Sequence, residues 1–571
     1  MYLQRIAIAN FRGIRRLEID LCPDATVLIG ENAWGKSSLL RALWMVLGQG
    51  GSLCQFEEQD LYVPLEDERP GIGEEADAIV IGLDFREPAC GVLEHSSRLQ
   101  RLGAAWQNGP GGLHCVHWRI RAARRGGRFV TEHRLVDRQG RELEVEHEEL
   151  IGILIAMNPV FRLRDSRMPG APAQDAAGGT DNAGNGGGGA GGEDAHLLGK
   201  ARLLLSRAAG DVTARDIDSA CQALDGIFSR YLSGYAAPQL LRRRGGRQRT
   251  VRDIVSQPLS VDSLESLRRS LAAPGMSRTK IILSLIAGAM LRAGGGRSLE
   301  RRARPIVVFE DIEARFHPTL LLSLLAVIEA LPVQKIITTN SGDLLSAVSL
   351  HSLRRLCRSR GGTSCYCIGE DELSVDDQRR IAFHLRINRP MSLFARCWVL
   401  VEGETEVWLL SEMASLMGMS LQSHGIRVIE FAQCGLTPLL KLARALGIAV
   451  YVLTDGDDAG RRYAATVREF MGRPRAERHL TRLPHLDIEH YFYCSGFDWL
   501  YLQEANLHLP LRRGLGPDQV IETAVSRRGK PGLALALLEA IQQQGPRSIP
   551  RDIRRMFSRI RRLSRERDAA S

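Results

Sequence analysis

The sequence predicts an α/β protein with two nucleotide- or metal-binding parallel sheets in tandem. Three observations predict it. A short apolar strand, Val27-Leu28-Ile29, runs into a glycine loop that ends in Gly35-Lys36-Ser37 and then into a helical pattern over residues 38–47. Residues 398–401 form a second apolar strand that ends at Glu402. Residues 450–453 form a third, which ends in Thr454-Asp455-Gly456-Asp457. Continuous apolar runs of this length suit parallel strands covered on both faces, and open α/β sheets bind ligands beyond the C-terminal ends of such strands.

Taken in order, residues 3–11 and 16–21 read as a hairpin around Arg12-Gly13. The segment Gly30-Glu31-Asn32-Ala33-Trp34-Gly35-Lys36-Ser37 is a full G-x-x-x-x-G-K-S, set between strand and helix as the phosphate-binding loop requires. Backbone N–H groups and the helix N-terminus cradle phosphates there, so Gly30, Asn32, Gly35, Lys36, Ser37 and Ser38 are the expected ATP-binding residues. Lys36 would reach the β- and γ-phosphates and Ser37 would hold Mg²⁺. Residues 78–85 alternate as a strand, and residues 118–134 read as a basic hairpin turning at Gly126-Gly127. Residues 168–193 are rich in Gly, Ala and Asn, and they read as a flexible insertion inside the first domain. Residues 201–232 and 261–271 read as helices. Arg242, Arg243, Arg244, Arg247 and Arg249 form a cluster that either touches phosphates or is simply solvated.

Ile306-Val307-Val308-Phe309-Glu310-Asp311 is an apolar strand ending in two acids. Glu310 would join the Mg²⁺ shell and Asp311 would orient or activate the attacking water. Residues 335–339 are a further strand, beyond which Asn340 can hydrogen-bond a phosphate oxygen. In the second half, Glu406 lies one helical turn after Glu402, so both can serve one site. Asp455 and Asp457 alternate past their strand, and two hard carboxylates there suit Mg²⁺ or Mn²⁺. Asp-Gly pairs are also ordinary turn chemistry. Asp487 and Glu489 alternate on what reads as a strand, with His485 and His490 as local hydrogen bonders. Lys530 precedes a helix over residues 531–541. Residues 551–567 place Ile553, Met556, Phe557, Ile560 and Leu563 on one helical stripe among many Arg. Such a helix either caps the second domain and offers Arg to phosphates or is a solvated basic helix.

With 571 residues the chain has room for two or more cored domains. Its 44% hydrophobic content excludes wholesale disorder, and a net charge of +10 suits either a polyanionic partner or a solvated basic surface that keeps the protein in solution. Basic residues are almost all Arg, which singles out Lys36 and Lys530. The 11 cysteines show no zinc spacing and read as reduced, buried thiols of a cytoplasmic protein. The longest apolar stretch, residues 281–291, is too short to span a bilayer.

The order strand-Glu402, helix, strand, helix, strand-Asp455-x-Asp457, helix resembles the Toprim domain shared by topoisomerases, primases and some nucleases. Together, the motifs at Gly30–Ser37, Glu310–Pro318, Thr338–Ser341, Glu402–Glu406 and Asp455–Asp457 resemble the OLD-family ATP-dependent endonucleases. Those join an ABC-type ATPase, related to SMC and RecF proteins, to a C-terminal Toprim nuclease. The resemblance implies an N-terminal ABC/SMC-like ATPase domain over residues 1–375, with the insertion at about 168–197. It implies a Toprim nuclease domain over 390–545 and a basic helix over 546–571. It implies DNA as substrate, a homodimer, ATP and Mg²⁺ or Mn²⁺ as cofactors, and room for a helicase or other protein partner.

Within this resemblance Glu402, Glu406, Asp455, Asp457 and Glu489 are the metal ligands, with Asp487 in reserve. Glu402, Asp311 and Lys530 are the catalytic groups, Lys530 lying by the scissile phosphate. The chain departs from the family pattern in its acid pair, which runs Glu310-Asp311 where Asp-Glu is usual. It also carries Asn340 where a switch His is usual, and its signature loop around Ser277 and Arg278 matches poorly. A non-cleaving, SMC/RecF-like DNA-binding ATPase is the alternative. A primase is disfavoured by the lack of a zinc-ribbon pattern.

Overall fold

The computed structural model describes residues 1–31, 34–48, 53–63, 77–90, 100–163, 304–315, 333–359, 362–369, 371–383, 390–507 and 515–566, with isolated positions between 321 and 329. Asn32, the Gly-rich insertion, the helices expected over 201–232, 261–271 and 281–291, the Arg242–Arg249 cluster, Ser277, Arg278 and His317 lie outside the described residues. The chain divides into two compact units. The first spans Met1–Leu28, Gly35–Leu65 and Arg69–Thr339; the second spans Ile29–Trp34, Glu66–Glu68 and Asn340–Ser571.

The first unit holds an antiparallel sheet and a parallel one. The antiparallel sheet is made of β1 (Tyr2–Phe11), β2 (Ile14–Asp20), β4 (Ala78–Arg86), β5 (Gln107–Asn108), β6 (His114–Arg125) and β7 (Arg128–Val136), and β3 (Ala25–Ile29) belongs to the parallel sheet. The β1–β2 hairpin turns at Arg12, whose φ of 48° is unusual for a residue with a side chain. The β6–β7 turn needs positive φ at both central positions, and Gly126 (56°) and Gly127 (81°) supply it.

Helix α1 (Lys36–Leu47) follows β3, and helix α2 (His147–Met157) absorbs the apolar run at 151–155. Strands β8 (Val160–Leu163), β9 (Ile306–Glu310) and β10 (Gln334–Thr338) complete the parallel sheet in the order β3-β10-β9-β8. Ile306 to Phe309 are buried without alternation, as the apolar run predicts. Gln334, fully buried, ties the two sheets together. Its side chain accepts from Leu3 N (3.1 Å) and donates to Leu3 O (2.7 Å) and Cys22 O (3.0 Å).

In the second unit, helix α3 (Gly342–Ala347) precedes the antiparallel pair β11 (Leu353–Ser359) and β12 (Gly362–Tyr366), followed by helix α4 (Val375–Ile381). A four-stranded, all-parallel sheet then forms from β13 (Cys397–Val401), β14 (Ile426–Glu430), β15 (Ala449–Thr454) and β16 (Leu480–Arg482), in the order β14-β13-β15-β16. Its crossover helices are α5 (Glu404–Leu416), α6 (Leu436–Ala445), and the pair α7 (Asp458–Met471) and α8 (Arg473–His479). Helices α9 (Ile488–Phe492), α10 (Asp498–Glu504), α11 (Pro517–Gln544) and α12 (Arg551–Glu566) follow.

Residues Cys397, Val399, Val401, Leu410, Tyr451, Phe492, Leu537 and Phe557 share one core. Ile553, Met556, Phe557 and Ile560 put the apolar stripe of α12 inside it, so that helix is part of the domain and not an appended tail. Among the described residues no helix is long and apolar enough to cross a membrane. The buried-thiol reading is only partly met: Cys54, Cys115, Cys397 and Cys434 are buried, whereas Cys90, Cys367 and Cys494 are exposed. Burial pushes the Cys54 thiol up to about 12 and that of Cys434 up to about 11, so neither is poised to react.

Candidate nucleotide and metal sites

The phosphate loop takes its shape from its glycines. Gly30 has φ 146°, and a Cβ there would come within 2.8 Å of Leu356 O. Gly35, at φ 93°, is the left-handed N-cap of α1. Lys36 is therefore the first helical residue, where the open N–H groups of the first turn point outward. Its side chain is buried, which pulls its ammonium below the usual lysine range although Asp311 and Glu313 pull the other way. Ser37 is exposed, whereas Ser38 Oγ accepts from Gly13 N at 3.3 Å, so Ser38 also anchors the first hairpin.

Glu310 ends β9 and pairs in register with Thr338 at the end of β10. Asp311 is exposed and holds a left-handed backbone, φ 43°. Thr338 keeps it there: Thr338 Oγ1 accepts from Asp311 N and donates to Asp311 Oδ1, both at 3.1 Å. A strained acid at a strand end is a common mark of a functional position. Asn340 lies exposed two residues past β10.

The acidic cluster is assembled from five elements. Glu402 follows β13, and its Oε1 accepts from Asp455 N at 2.9 Å. Glu406 lies in the first turn of α5, behind the N-cap Gly403. Asp455 follows β15. Asp457 is the N-cap of α7, with Oδ1 accepting from Gly460 N at 2.6 Å, so one of its oxygens performs the turn chemistry the sequence allows. Glu489 is on α9 and pairs with Lys530 Nζ at 3.1 Å.

Two glycines let these elements meet. A Cβ on Gly456 would lie 2.2 Å from His485 O, and one on Gly460 would lie 2.0 Å from Asp455 O. With Gly456 bare, its N–H donates to His485 O (3.0 Å) and brings the 483–489 segment to the end of β15. Here the glycine serves close backbone approach.

The 487–489 segment is not the expected strand. Asp487 Oδ1 accepts from His490 N (2.8 Å), an N-cap that starts a helix. In a helix, Asp487 and Glu489 no longer share a face by alternation. Asp487 instead binds the His490 ring (Nδ1, 2.6 Å), whose Nε2 meets Asp518 at 3.2 Å. His490 is thus a local hydrogen bonder, as expected. The helix expected over 531–541 after Lys530 is present as the second part of a longer one. Helix α11 begins at Pro517 and breaks at Gly529 (φ 73°), and Lys530 sits at that break.

Crowded carboxylates raise one another. Burial is the main cause for Asp455, joined by the charges of Glu402, Glu406, Asp487 and Glu489, and its carboxyl is pushed up to about 8. Glu402 is raised by burial and by Asp457 and Glu406, against the Asp455 N–H. Glu406 is raised by burial and by Glu489, with Lys530 opposing. Burial pulls on Lys530 in the other direction, but Glu489, Asp487 and Glu406 outweigh it and hold the ammonium above the usual lysine range.

The donor set fits a divalent cation. It consists of hard carboxylates whose repulsion Lys530 opposes, and among the described residues the buried Glu489 Oε2 has no hydrogen-bond partner. Among the described residues, however, no three of the acids already stand at mutual positions that would close a metal cage. Sequence reasoning missed Thr338, whose role depends on a partner 27 residues away, and Tyr501. That phenol is buried and raised by desolvation and by Glu489 and Asp487, so it walls the cluster. An apolar helix pattern gives no sign of that placement.

Residues 1–392 match a family model described as a protein of unknown function, DUF2813. Residues 393–457 match the model of the Overcoming lysogenization defect protein-like TOPRIM domain. An uncharacterized protein, YbjD, of Escherichia coli (strain K12) is 38% identical over 573 residues, covering 99% of this chain and 100% of its own. The DNA replication and repair protein RecF of Lactobacillus acidophilus is 39% identical over 46 residues, 8% of this chain and 12% of that one.

Among solved structures, the C-terminal region of the Xanthomonas campestris pv. campestris OLD protein is 22% identical with a TM-score of 0.25, covering 30% of this chain and 94% of its own. An SMC head domain from Thermotoga maritima is 12% identical with a TM-score of 0.29, covering 65% and 100%. The glycine loop between β3 and α1 is that of a P-loop ATPase fold, and the β14-β13-β15-β16 sheet is that of a Toprim domain. The chain belongs to the DUF2813 family, and its phosphate-loop half is followed by an OLD-like Toprim domain.

Proposed function

We propose that the protein is an ATP-binding, metal-dependent DNA endonuclease. The observation that carries this is the convergence of Glu402, Asp455 and Glu489, with Lys530, beyond the C-terminal ends of a parallel sheet. Glu402, Glu406, Asp455, Asp457 and Glu489 would hold two Mg²⁺ or Mn²⁺ ions. Bound there, such ions supply an activated water and stabilise a leaving oxygen. Glu402 braces the pair by accepting the Asp455 N–H, which fixes the β13 and β15 ends against each other. Lys530 keeps its proton and presents a cation to a phosphate that draws near. The RecF relative is named for DNA replication and repair, which supports a nucleic-acid substrate.

At the other site, Gly30, Gly35, Lys36, Ser37 and Ser38 would receive the nucleotide, with Asn32 as a further loop donor. Asp311 would orient the attacking water, Glu310 would join the Mg²⁺ shell and Asn340 would meet a phosphate oxygen. The ATPase domain spans about 1–375 and the nuclease domain 390–545, with the basic helix of 546–571 packed into the nuclease core. A cytoplasmic homodimer, acting in phage defence or DNA repair with or without a helicase or other partner, is the setting this reading supports.

The test is nicking of supercoiled plasmid by purified protein in Mg²⁺ and in Mn²⁺. Nicking that disappears in Asp457→Ala supports the nuclease. One observation favours a second reading, a non-cleaving DNA-binding ATPase: among the described residues the acids do not already form a closed cage. Intact ATP hydrolysis without nicking in either metal would favour it.

A further inference from the structure

The phosphate-loop motif leaves its middle positions free in sequence, and this chain puts Glu31 and Trp34 there. Both have a use in the second unit, which takes in Ile29–Trp34 together with residues 340–571. The Arg396 guanidinium grips the Glu31 carboxylate with both prongs, Nε to Oε1 at 2.6 Å and Nη2 to Oε2 at 2.7 Å. The Trp34 ring is buried, and the guanidinium carbons of Arg355 and Arg396 each lie 6.0 Å from its centroid. Arg355 is itself 1% exposed, and it donates to Leu446 O (2.9 Å), Gly447 O (3.2 Å) and Ala395 O (2.8 Å).

Arg396 is also built into the Toprim sheet. Its N–H donates to Gly425 O (2.7 Å), ahead of β14, and its carbonyl accepts from Ala449 N (3.0 Å), at the start of β15. It directly precedes β13, whose five residues are all buried and which leads to Glu402. An exposed ion pair is worth little by itself. This one is two-pronged, set 6.0 Å over a buried indole and rooted among three strands, so it can hold a loop whose N–H groups must point at phosphate.

We propose that Arg396 is a positioning residue for the nucleotide, acting through Glu31 and Trp34, and that it reports nucleotide occupancy to the Toprim sheet through β13. The proposal rests on the nucleotide reading of Gly30–Ser37. Coupling of this kind is reciprocal: whatever the strand does for the loop, an occupied loop does for the strand.

The test uses the full chain and a fluorescent ATP analogue titrated at fixed Mg²⁺, with Lys36→Ala as the reference for lost binding. Glu31→Arg and Arg396→Glu are each expected to weaken binding by about tenfold or more, and the double charge swap to recover most of that loss. Arg396→Lys keeps the charge and loses the fork, so it gives an intermediate loss and a variant that folds if Arg396→Glu does not. Hydrogen exchange supplies the second readout. The analogue should slow exchange of the Cys397–Val401 amides in the wild type and leave it unchanged in Arg396→Lys. Wild-type affinity in both single reversals, or exchange in β13 that ignores nucleotide, would overturn the proposal. A wild-type chain that binds no better than Lys36→Ala would overturn the nucleotide reading itself, and the coupling with it.

Discussion

The phosphate loop and the carboxylate cluster lie at the ends of similar parallel strands, yet they are built in opposite ways. The loop is local. Gly30, Gly35 and Lys36 acquire their geometry from a strand, two positive-φ glycines and one helix start within a few residues. Its one buried ammonium is lowered by burial, and the opposite charges of Asp311 and Glu313 offset part of that cost. The cluster draws Glu402, Glu406, Asp455, Asp457 and Glu489 from segments up to 87 residues apart, and like charge accumulates there until Asp455 is pushed up to about 8. A cradle for an anion takes its donors from one stretch of backbone, here braced from afar by Arg396. A cage for cations needs tertiary structure, and it stores repulsion until a cation arrives.

Breaking each site should show this contrast. The largest effect expected is on the loop: Lys36→Ala should weaken binding of an ATP analogue by about 100-fold, measured by titration, with the melting temperature nearly unchanged. Lys530→Ala should lower the nicking rate by about 10²-fold, the loss typical of one charged transition-state donor. A rate within about threefold of wild type would reduce Lys530 to a surface partner of Glu489.

The stored repulsion can be measured without catalysis. Asp455 has a folded-state pKa above its unfolded value. Its contribution to stability is therefore fully present below about 4 and is lost as the pH rises through about 8. Metal-free protein should lose unfolding free energy across that window. Asp455→Asn should flatten the profile and gain on the order of 1–3 kcal/mol at pH 8, after discounting for solvent at a half-buried group. Mg²⁺ should stabilise the wild type more at pH 8.5 than at pH 6.5, because the bound ion takes the place of a proton, and thermal melts at the two pH values check this. The smallest effect expected is on the Asp311 latch. Thr338→Val removes two hydrogen bonds at 3.1 Å and should cost about 1 kcal/mol in denaturant unfolding while slowing ATP hydrolysis.

What the sequence discloses follows the same divide. The strand, glycine loop and helix over 25–47 are legible because each signal is local, and so are the acid-tipped strands ending at Val401 and Thr454. The apolar stripe of α12 correctly announces a buried face. Alternation misleads at 487–489. A two-residue spacing of acids suits a strand, but Asp487 accepts from His490 N and starts a helix of only five residues, too short to show a helical period. Gln334, Thr338, Arg355 and Arg396 acquire their roles from partners 27 to 365 residues away, and no local pattern marks such residues.

The most direct measurement of the central claim is nicking of supercoiled plasmid in Mg²⁺ and in Mn²⁺, with and without ATP, by the wild type, Asp457→Ala and Lys36→Ala. A metal-dependent nuclease nicks as the wild type, fails as Asp457→Ala even at saturating metal, and loses only its response to ATP as Lys36→Ala. Nicking that survives unchanged in Asp457→Ala would contradict the assignment of the carboxylate cluster. No nicking by a wild type that hydrolyses ATP would leave a DNA-binding ATPase as the better account.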